Sequence, residues 1–521
     1  MKAYLMYRDR DFDLQGGRPP HEAALTQDLE LNTLLGAMAA GDQFLLDVAR
    51  RAVLTSLDEP EEILYRQHIL ADCLDRPAIV REMYAIAVEA LRRERGVWGA
   101  ISSRYPEGVL YQSVELLERF MDLLKRLRRI ADAHSAPFQS EGFTRLFGMF
   151  ARELDDEYLS IIEDHLRRLA FRDGVLMSAA LDQGNKGTRH VLHPRDASQS
   201  WLERLKSWII ENLFTDRSRY VYQIADRDDA GFRALGELRS RGIGLVARAL
   251  AQSTDHILDF FGMLRSELGF YVGCLNLRDR LARKGEPICF PVPLASGKAM
   301  FSARGLYDPC LSLSVKPRVV GNDVSADGKL LVMMTGPNQG GKSTLLRGIG
   351  LAQLMMQCGM FVPAQSFRAN VCDGVFTHFK REEDAGMKSG KLDEELSRMN
   401  SIVDAISPNS VVLLNESFAS TNEREGSEIA RQIVRALAER GIKVFYVTHL
   451  FDLAQGFHRG KMDTALFLRA ERLADGRRTF RLVEGTPLPT SHAEDLYRRI
   501  FGTVPVRRPD DSASAVKMGR S

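Results

Sequence analysis

Apolar positions up to about residue 290 recur mainly at helical spacing, whereas beyond it short unbroken apolar runs alternate with helical stretches. Leu31, Leu34, Leu35, Met38, Leu45, Leu46 and Val48 mark one face up to Leu54. Ser56-Leu57-Asp58-Glu59-Pro60 reads as a stop followed by a new start, since proline is tolerated in the first turn of a helix. Ile63, Ile69, Leu70 and Leu74 follow, and Pro77 opens a further helix through Val80, Met83, Tyr84, Val88 and Leu91. Longer periodic stretches run over Val114–Ile130, Phe143–Leu169, Trp201–Leu213 and Ala230–Leu281. Between them, Phe171–Ala179 and Thr188–Leu192 are spaced as a hairpin over Gln183–Gly187, with Tyr220–Ile224 as a candidate third strand.

The pattern changes at Leu330-Leu331-Val332-Met333-Met334, an apolar run of the kind a buried parallel strand needs. Directly after it stand Gly336, Pro337, Asn338, Gln339, Gly340, Gly341, Lys342, Ser343 and Thr344, which fit the phosphate-loop pattern G-x-x-x-x-G-K-[ST]. Leucine-rich helix continues from Lys342 to about Met356. A strand, a glycine loop and a helix start aim backbone N–H groups at one point, which suits a polyphosphate. Lys342 would reach the β- and γ-phosphates, and the Ser343 hydroxyl would ligate Mg²⁺. The expectation is a site for a nucleoside triphosphate, ATP with Mg²⁺. Two more buried-strand patterns end in polar residues. Val411–Leu414 runs into Asn415 and Glu416, and Val444–Thr448 runs into His449. A carboxylate at the first strand end can orient water and accept its proton, and His449 is placed to sense the γ-phosphate.

These motifs together resemble the ATPase domain of the MutS family of DNA mismatch-repair proteins, a branch of the ABC-type ATPases. The resemblance rests on GPNQGGKST at Gly336–Thr344, Phe361–Gln365, Asn415-Glu416 with Ala419–Gly426, and Val447–Leu453. Val320-Gly321-Asn322-Asp323 lies where the family borders the adenine, and Thr464–Glu484 reads as a hairpin about Ala474-Asp475-Gly476. The resemblance implies composite sites in a homodimer, one subunit giving the phosphate loop and the other a Ser-Gly signature, here Ser389-Gly390. Where the family has a Ser-Thr pair nearby, this chain has Lys391-Leu392-Asp393. The family's Asp-Glu is here Asn415-Glu416, and an amide oxygen accepts a hydrogen bond but brings no charge to Mg²⁺. Weaker metal binding or slower turnover is expected, with Glu416 and His449 as the catalytic pair and Ser343 and Asn415 toward the metal. No Phe-x-Glu wedge for mispaired bases stands ahead of Leu31, and no nuclease domain is recognisable after the ATPase.

The expected architecture is therefore α plus α/β. A helical core (1–110) precedes lever helices with a small β clamp (111–290), an ABC-type P-loop ATPase domain (291–505) and a disordered polar tail (506–521). At 521 residues and 45% apolar content the chain is long enough for two or three cores. A net charge of +2 advertises no global attraction to nucleic acid. Lys125-Arg126-Leu127-Arg128-Arg129 and Arg167-Arg168 with Arg172 could contact DNA phosphates, yet interleaved acids favour an ordinary solvated face. Six cysteines without C-x-x-C spacing, and no signal peptide or membrane span, point to a cytoplasmic protein with reduced thiols. Two functions stay open: an ATP-hydrolysing DNA clamp in repair or recombination, and a nucleotide-switched assembly protein with little hydrolysis and a protein or RNA partner.

Overall fold

The computed structural model describes residues 1–17, 19, 21–98, 106–170, 177–182, 186–192, 229–381, 390–473 and 477–487. The helices are α1 (Glu22–Asp28), α2 (Leu31–Ala39), α3 (Gln43–Leu54), α4 (Pro60–Asp75), α5 (Pro77–Trp98), α6 (Pro106–His134), α7 (Glu141–Glu153) and α8 (Asp156–Leu169). An antiparallel hairpin follows, β1 (Met177–Asp182) with β2 (Lys186–Leu192), and then the 54-residue α9 (Asp229–Ala282). At 1.5 Å per residue α9 is about 80 Å long. Pro60 and Pro77 open helices as the sequence predicts, because the missing N–H falls where no helical partner exists.

Two periodic runs are each broken in two. Ala40 and Gly41 take left-handed conformations after α2, and the Asp42 carboxylate then caps the N–H groups of Phe44 and Leu45. The run Phe143–Leu169 breaks at Leu154-Asp155, where Asp155 caps Tyr158 at 2.7 Å. In both cases a local side-chain cap outcompetes a continuous hydrophobic period. Trp201–Leu213, Tyr220–Ile224 and residues 183–185 and 506–521 lie outside the described residues.

The first 17 residues form no helix or strand, yet Ala3, Leu5 and Met6 are buried. Glu267 of α9 accepts the N–H groups of Leu5 (2.5 Å), Met6 and Phe12 (3.4 Å each). Arg66 of α4, fully buried, donates to the carbonyls of Met6 (2.7 Å) and Cys358 (3.3 Å). This strap thus stands between α4, α9 and the end of the helix that follows the glycine loop.

The C-terminal half holds two sheets. Strands β6 (Leu331–Thr335), β8 (Val375–Phe379), β9 (Val411–Asn415), β10 (Lys443–Val447), β11 (Ala465–Arg472) and β12 (Arg478–Glu484) form one, in the order β12-β11-β6-β10-β9-β8. It is parallel from β11 to β8, with β12 antiparallel at the edge. Strands β6, β8 and β10 are buried along their whole length; β6 and β10 read as apolar runs for that reason, whereas β8, interrupted by Thr377 and His378, does not. The second sheet has the order β3-β7-β4-β5, built from β3 (Val292–Leu294), β4 (Phe301–Leu306), β5 (Asn322–Ser325) and β7 (Ser366–Asn370). Its short, half-exposed strands give no strong periodic signal, and sequence reasoning did not find them.

Helix α10 (Pro309–Ser314) joins the second sheet to the helical half, and α11 (Lys342–Gln357) follows the glycine loop. The remaining helices are α12 (Lys391–Ala405), α13 (Glu423–Glu439) and α14 (Phe451–Arg459). Helix α11 is buried on nearly all sides. A Cβ at Gly350 would come within 2.5 Å of Leu413 and 2.9 Å of Leu29, so glycine permits the close approach. One continuous apolar core runs from Leu5, Leu35 and Phe270 through Met355 and Phe361 to Leu413 and Phe445. The helical half and the sheet half are therefore joined by packing as well as by chain. Among the described residues no helix is long and apolar enough to cross a membrane, and all six cysteines are free thiols.

Candidate functional site

Met334, Val447 and Asn415 lie side by side in the parallel register of β6, β10 and β9. The polar residues that follow each strand must therefore emerge at one sheet edge. Behind β6 comes the glycine loop; behind β9, Glu416; behind β10, Thr448 and His449. Gly341 takes φ +91 and caps α11 without a side chain, leaving the first N–H groups of that helix free of an intrahelical partner. A Cβ on Gly340 would lie 2.7 Å from the Ala470 methyl and 2.9 Å from the Pro337 carbonyl, so this turn closes only with glycine.

Lys342 is 4% exposed, and its ammonium donates to the carbonyls of Gly336 and Pro337 at 2.8 Å each. Burial pushes its pKa down to about 8, partly opposed by the Glu416 carboxylate. Ser343 Oγ donates to Asn415 Oδ1 at 2.8 Å, so the loop hydroxyl and the β9 amide share one spot. Two adjacent neutral oxygens are donors of the type Mg²⁺ accepts, though without carboxylate charge. Glu416 Oε1 lies 2.8 Å from His449 Nε2. An ionised carboxylate only accepts, so the proton of this contact sits on Nε2. The hydrogen bond from His449 holds the Glu416 carboxyl below its ordinary pKa, against the effect of burial. Glu416 is also left-handed, with φ +54, while its N–H donates to the Val447 carbonyl at 2.8 Å.

The structure thus brings Lys342, Ser343, Asn415, Glu416 and His449 together. Gly390 is separate from them: exposed, it caps the N-terminus of α12, and a Cβ there would meet open space. Ser389 lies outside the described residues. Sequence reasoning missed Phe480. The Asn322 amide donates to the Phe480 carbonyl (3.2 Å) and accepts from Leu482 N–H (2.7 Å), pinning β12 against the loop. The Phe480 carbonyl passes where a Gly341 side chain would stand, and the residue is 48% exposed. The available signal was an apolar ring between Thr479 and Arg481 on the edge strand of the hairpin. His378 was missed as well; it is buried on β8 and binds the residue after Glu416.

The basic runs on the helices are mostly paired. Lys125 meets Glu163 (2.5 Å), Arg126 meets Glu89 (2.7 Å), Arg128 meets Asp132 (2.8 Å) and Arg168 meets Asp164 (2.7 Å). Arg172 lies outside the described residues. Asp132 and Asp164 are interleaved acids of the kind the spacing suggested, whereas Glu163 and Glu89 reach Lys125 and Arg126 from α8 and α5.

Comparison with known proteins gives matches to both halves. Residues 58–284 match the family described as the MutS2 N-terminal domain, and residues 332–484 match MutS domain V. An endonuclease MutS2 of Lacticaseibacillus casei is 30% identical over 275 residues, 51% of this chain and 33% of that protein. An endonuclease MutS2 of Thermus thermophilus is 33% identical over 188 residues, 35% of this chain and 25% of that protein. A DNA mismatch repair protein MutS of Thermotoga maritima is 41% identical over 138 residues, 26% of this chain and 17% of that protein. The matched stretches span a third or less of those relatives. With its helical half matched to one MutS-type domain and its sheet half to another, the chain belongs to the MutS family.

Proposed function

We propose that this chain is a P-loop ATPase of the ABC type that binds ATP with Mg²⁺, hydrolyses it slowly, and uses the cycle to gate a grip on DNA in repair or recombination. The observation that carries this reading is the convergence of Lys342, Ser343, Asn415, Glu416 and His449 at one edge of three adjacent parallel strands. The N–H groups of residues 338–343, at the end of the loop and the start of α11, form a cradle for phosphate oxygens. On binding, the Lys342 ammonium exchanges the carbonyls of Gly336 and Pro337 for β- and γ-phosphate oxygens. Ser343 and Asn415 would hold Mg²⁺, which when bound neutralises phosphate charge. Glu416, ionised at neutral pH, takes the proton of the attacking water. His449 orients that carboxylate and offers a polar edge to the γ-phosphate. The exposed Phe480 ring beside the loop gives a face on which a base can stack.

Composite sites in a homodimer fit the exposed start of α12, where Gly390, with Ser389 before it, would face the partner's nucleotide. The DNA assignment draws on relatives named as mismatch repair and endonuclease proteins. The neutral Asn415 bonded to Ser343 favours a second reading, a nucleotide switch with little turnover and a protein or RNA partner. Steady-state hydrolysis of Mg-ATP, with and without duplex, mismatched and branched DNA at fixed salt, separates the two. Turnover that rises with a DNA form and vanishes in Glu416→Gln supports the clamp. Tight ATP binding without turnover or DNA response supports the switch.

A further inference from the structure

We infer that His378 is a positioning residue that ties the Glu416 turn to α12, so that the carboxylate and the start of α12 move as one unit. This rests on the ATPase reading above, but the observations are its own. The turn after β9 holds two non-glycine residues in the left-handed region, Glu416 (φ +54) and Phe418 (φ +63), with Ser417 between them. Such backbone is costly and persists only where neighbours hold it.

The neighbours converge on one imidazole. His378 is fully buried on β8, and its Nδ1 lies 2.8 Å from Ser417 Oγ. Ser417 Oγ also lies 2.6 Å from the carbonyl of His378 itself, so its single proton bridges two acceptors. The Phe418 ring, also fully buried, stacks on the imidazole at 5.4 Å and 19°. Tyr446 of β10 closes the cage by donating to the Ser417 carbonyl at 2.6 Å.

The opposite ring nitrogen, Nε2, lies 3.0 Å from the carbonyl of Glu395, within the second turn of α12. Burial keeps the imidazole neutral, pushing its pKa down to about 4. The lone ring proton therefore belongs on Nε2, facing the Glu395 carbonyl, and Nδ1 accepts from Ser417. Arg398 adds one more tie from α12 to the sheet, donating to the Phe379 carbonyl at 3.1 Å. The Glu395 carboxyl is buried in the same place, its pKa raised by burial, and nearby Ser420 and the Arg398 charge oppose that rise.

The first turns of α12 thus reach the sheet through a ring that also holds Ser417 and Phe418, the two residues directly after Glu416. A shift of α12 cannot leave the Glu416 turn untouched while both ring bonds hold. In the other direction, a nucleotide whose attacking water engages the Glu416 carboxylate pulls on α12.

The test uses the full chain and three variants: His378→Leu, which keeps bulk and removes both bonds; His378→Asn, which keeps a polar atom near Ser417; and His378→Gln, which keeps a donor toward Glu395. Nucleotide Kd, single-turnover hydrolysis per folded molecule, Tm, and amide exchange with and without a non-hydrolysable ATP analogue are measured. The expected result is an unchanged Kd and KM with kcat down by about a hundredfold in His378→Leu, the cost of displacing a reacting group by about 1 Å. Asn and Gln should each recover part of it. In the wild type, the analogue should slow exchange in residues 416–418 and in α12 together; in His378→Leu it should do so in the turn but not in α12. A kcat per folded molecule equal to wild type in His378→Leu, or an α12 response that survives that substitution or is absent from the wild type, overturns the inference. If the wild type binds but does not hydrolyse ATP, the ATPase reading fails while the exchange comparison still decides the role of His378.

Discussion

Lys342 gives the sharpest quantitative test of the site. Its ammonium is buried on the carbonyls of Gly336 and Pro337 with Glu416 as the nearby opposing charge, and its pKa falls from 10.5 to about 8. That fall corresponds to about 3 kcal/mol by which the fold disfavours the charge. The sign follows from proton counts. Between about pH 8 and 10.5 the unfolded chain holds a proton that the folded one has lost, so this group makes stability rise with pH there and costs its full amount below pH 8. Phosphate oxygens supply the missing counter-charge, so ATP should bind the protonated lysine. Binding should then take up about 0.1 proton near pH 7, 0.5 near pH 8 and 0.9 near pH 9, and affinity at pH 9 should be about tenfold weaker, or about 1.4 kcal/mol. Calorimetric titration in two buffers of different ionisation enthalpy reads the uptake directly. Lys342→Met should abolish both the uptake and the thermal stabilisation by ATP, and should raise the Tm of the nucleotide-free protein. Constant affinity with no proton uptake from pH 7 to 9 would refute the buried-charge argument, and unchanged ATP affinity in Lys342→Met would remove the lysine from the site.

Three further outcomes are expected. Glu416→Gln should keep ATP affinity yet accumulate a closed dimer on sizing columns with Mg-ATP, because proton transfer is lost while the cradle is intact; normal turnover would take Glu416 out of the chemistry. Asn415→Asp should tighten Mg²⁺ binding and preserve or raise hydrolysis, since the Ser343 neighbour gains a charge; a collapse in activity would show that the amide has its own role. Glu267 is pushed up to about 7 by burial, so the folded chain keeps a proton that the unfolded one loses from about pH 4.5. Stability should therefore fall as pH rises through that window, by about 3 kcal/mol in all, and Glu267→Gln should flatten the fall in Tm between pH 5 and 8.

Much of the site was legible because its parts are local. A glycine loop must follow a buried strand and open a helix, and Leu331–Lys342 writes all three in succession. The buried strands β6, β9 and β10 announce themselves as apolar runs, and the polar residue after each is named by the same pattern. The helical half was legible in type but not in punctuation. Asp42 and Asp155 break helices through single side-chain caps that a hydrophobic period does not register. The second sheet was illegible because its strands are three to six residues long and only half-buried.

What the sequence determined by itself, then, was the chemistry of each segment: which residues can cradle phosphate, which can accept a proton, which stretches must be helix. It could not say which segments meet. Parallel register sets Met334, Val447 and Asn415 abreast, and only that makes Lys342, Ser343, Asn415, Glu416 and His449 one site. His378 and Phe480 gain meaning the same way. A histidine in an apolar strand and a phenylalanine in a hairpin are unremarkable until packing sets one behind Ser417 and the other beside Gly341. Local interactions act between residues near in sequence and leave a pattern there. Long-range contacts are chosen by the mutual fit of whole elements, and that fit exists only in three dimensions.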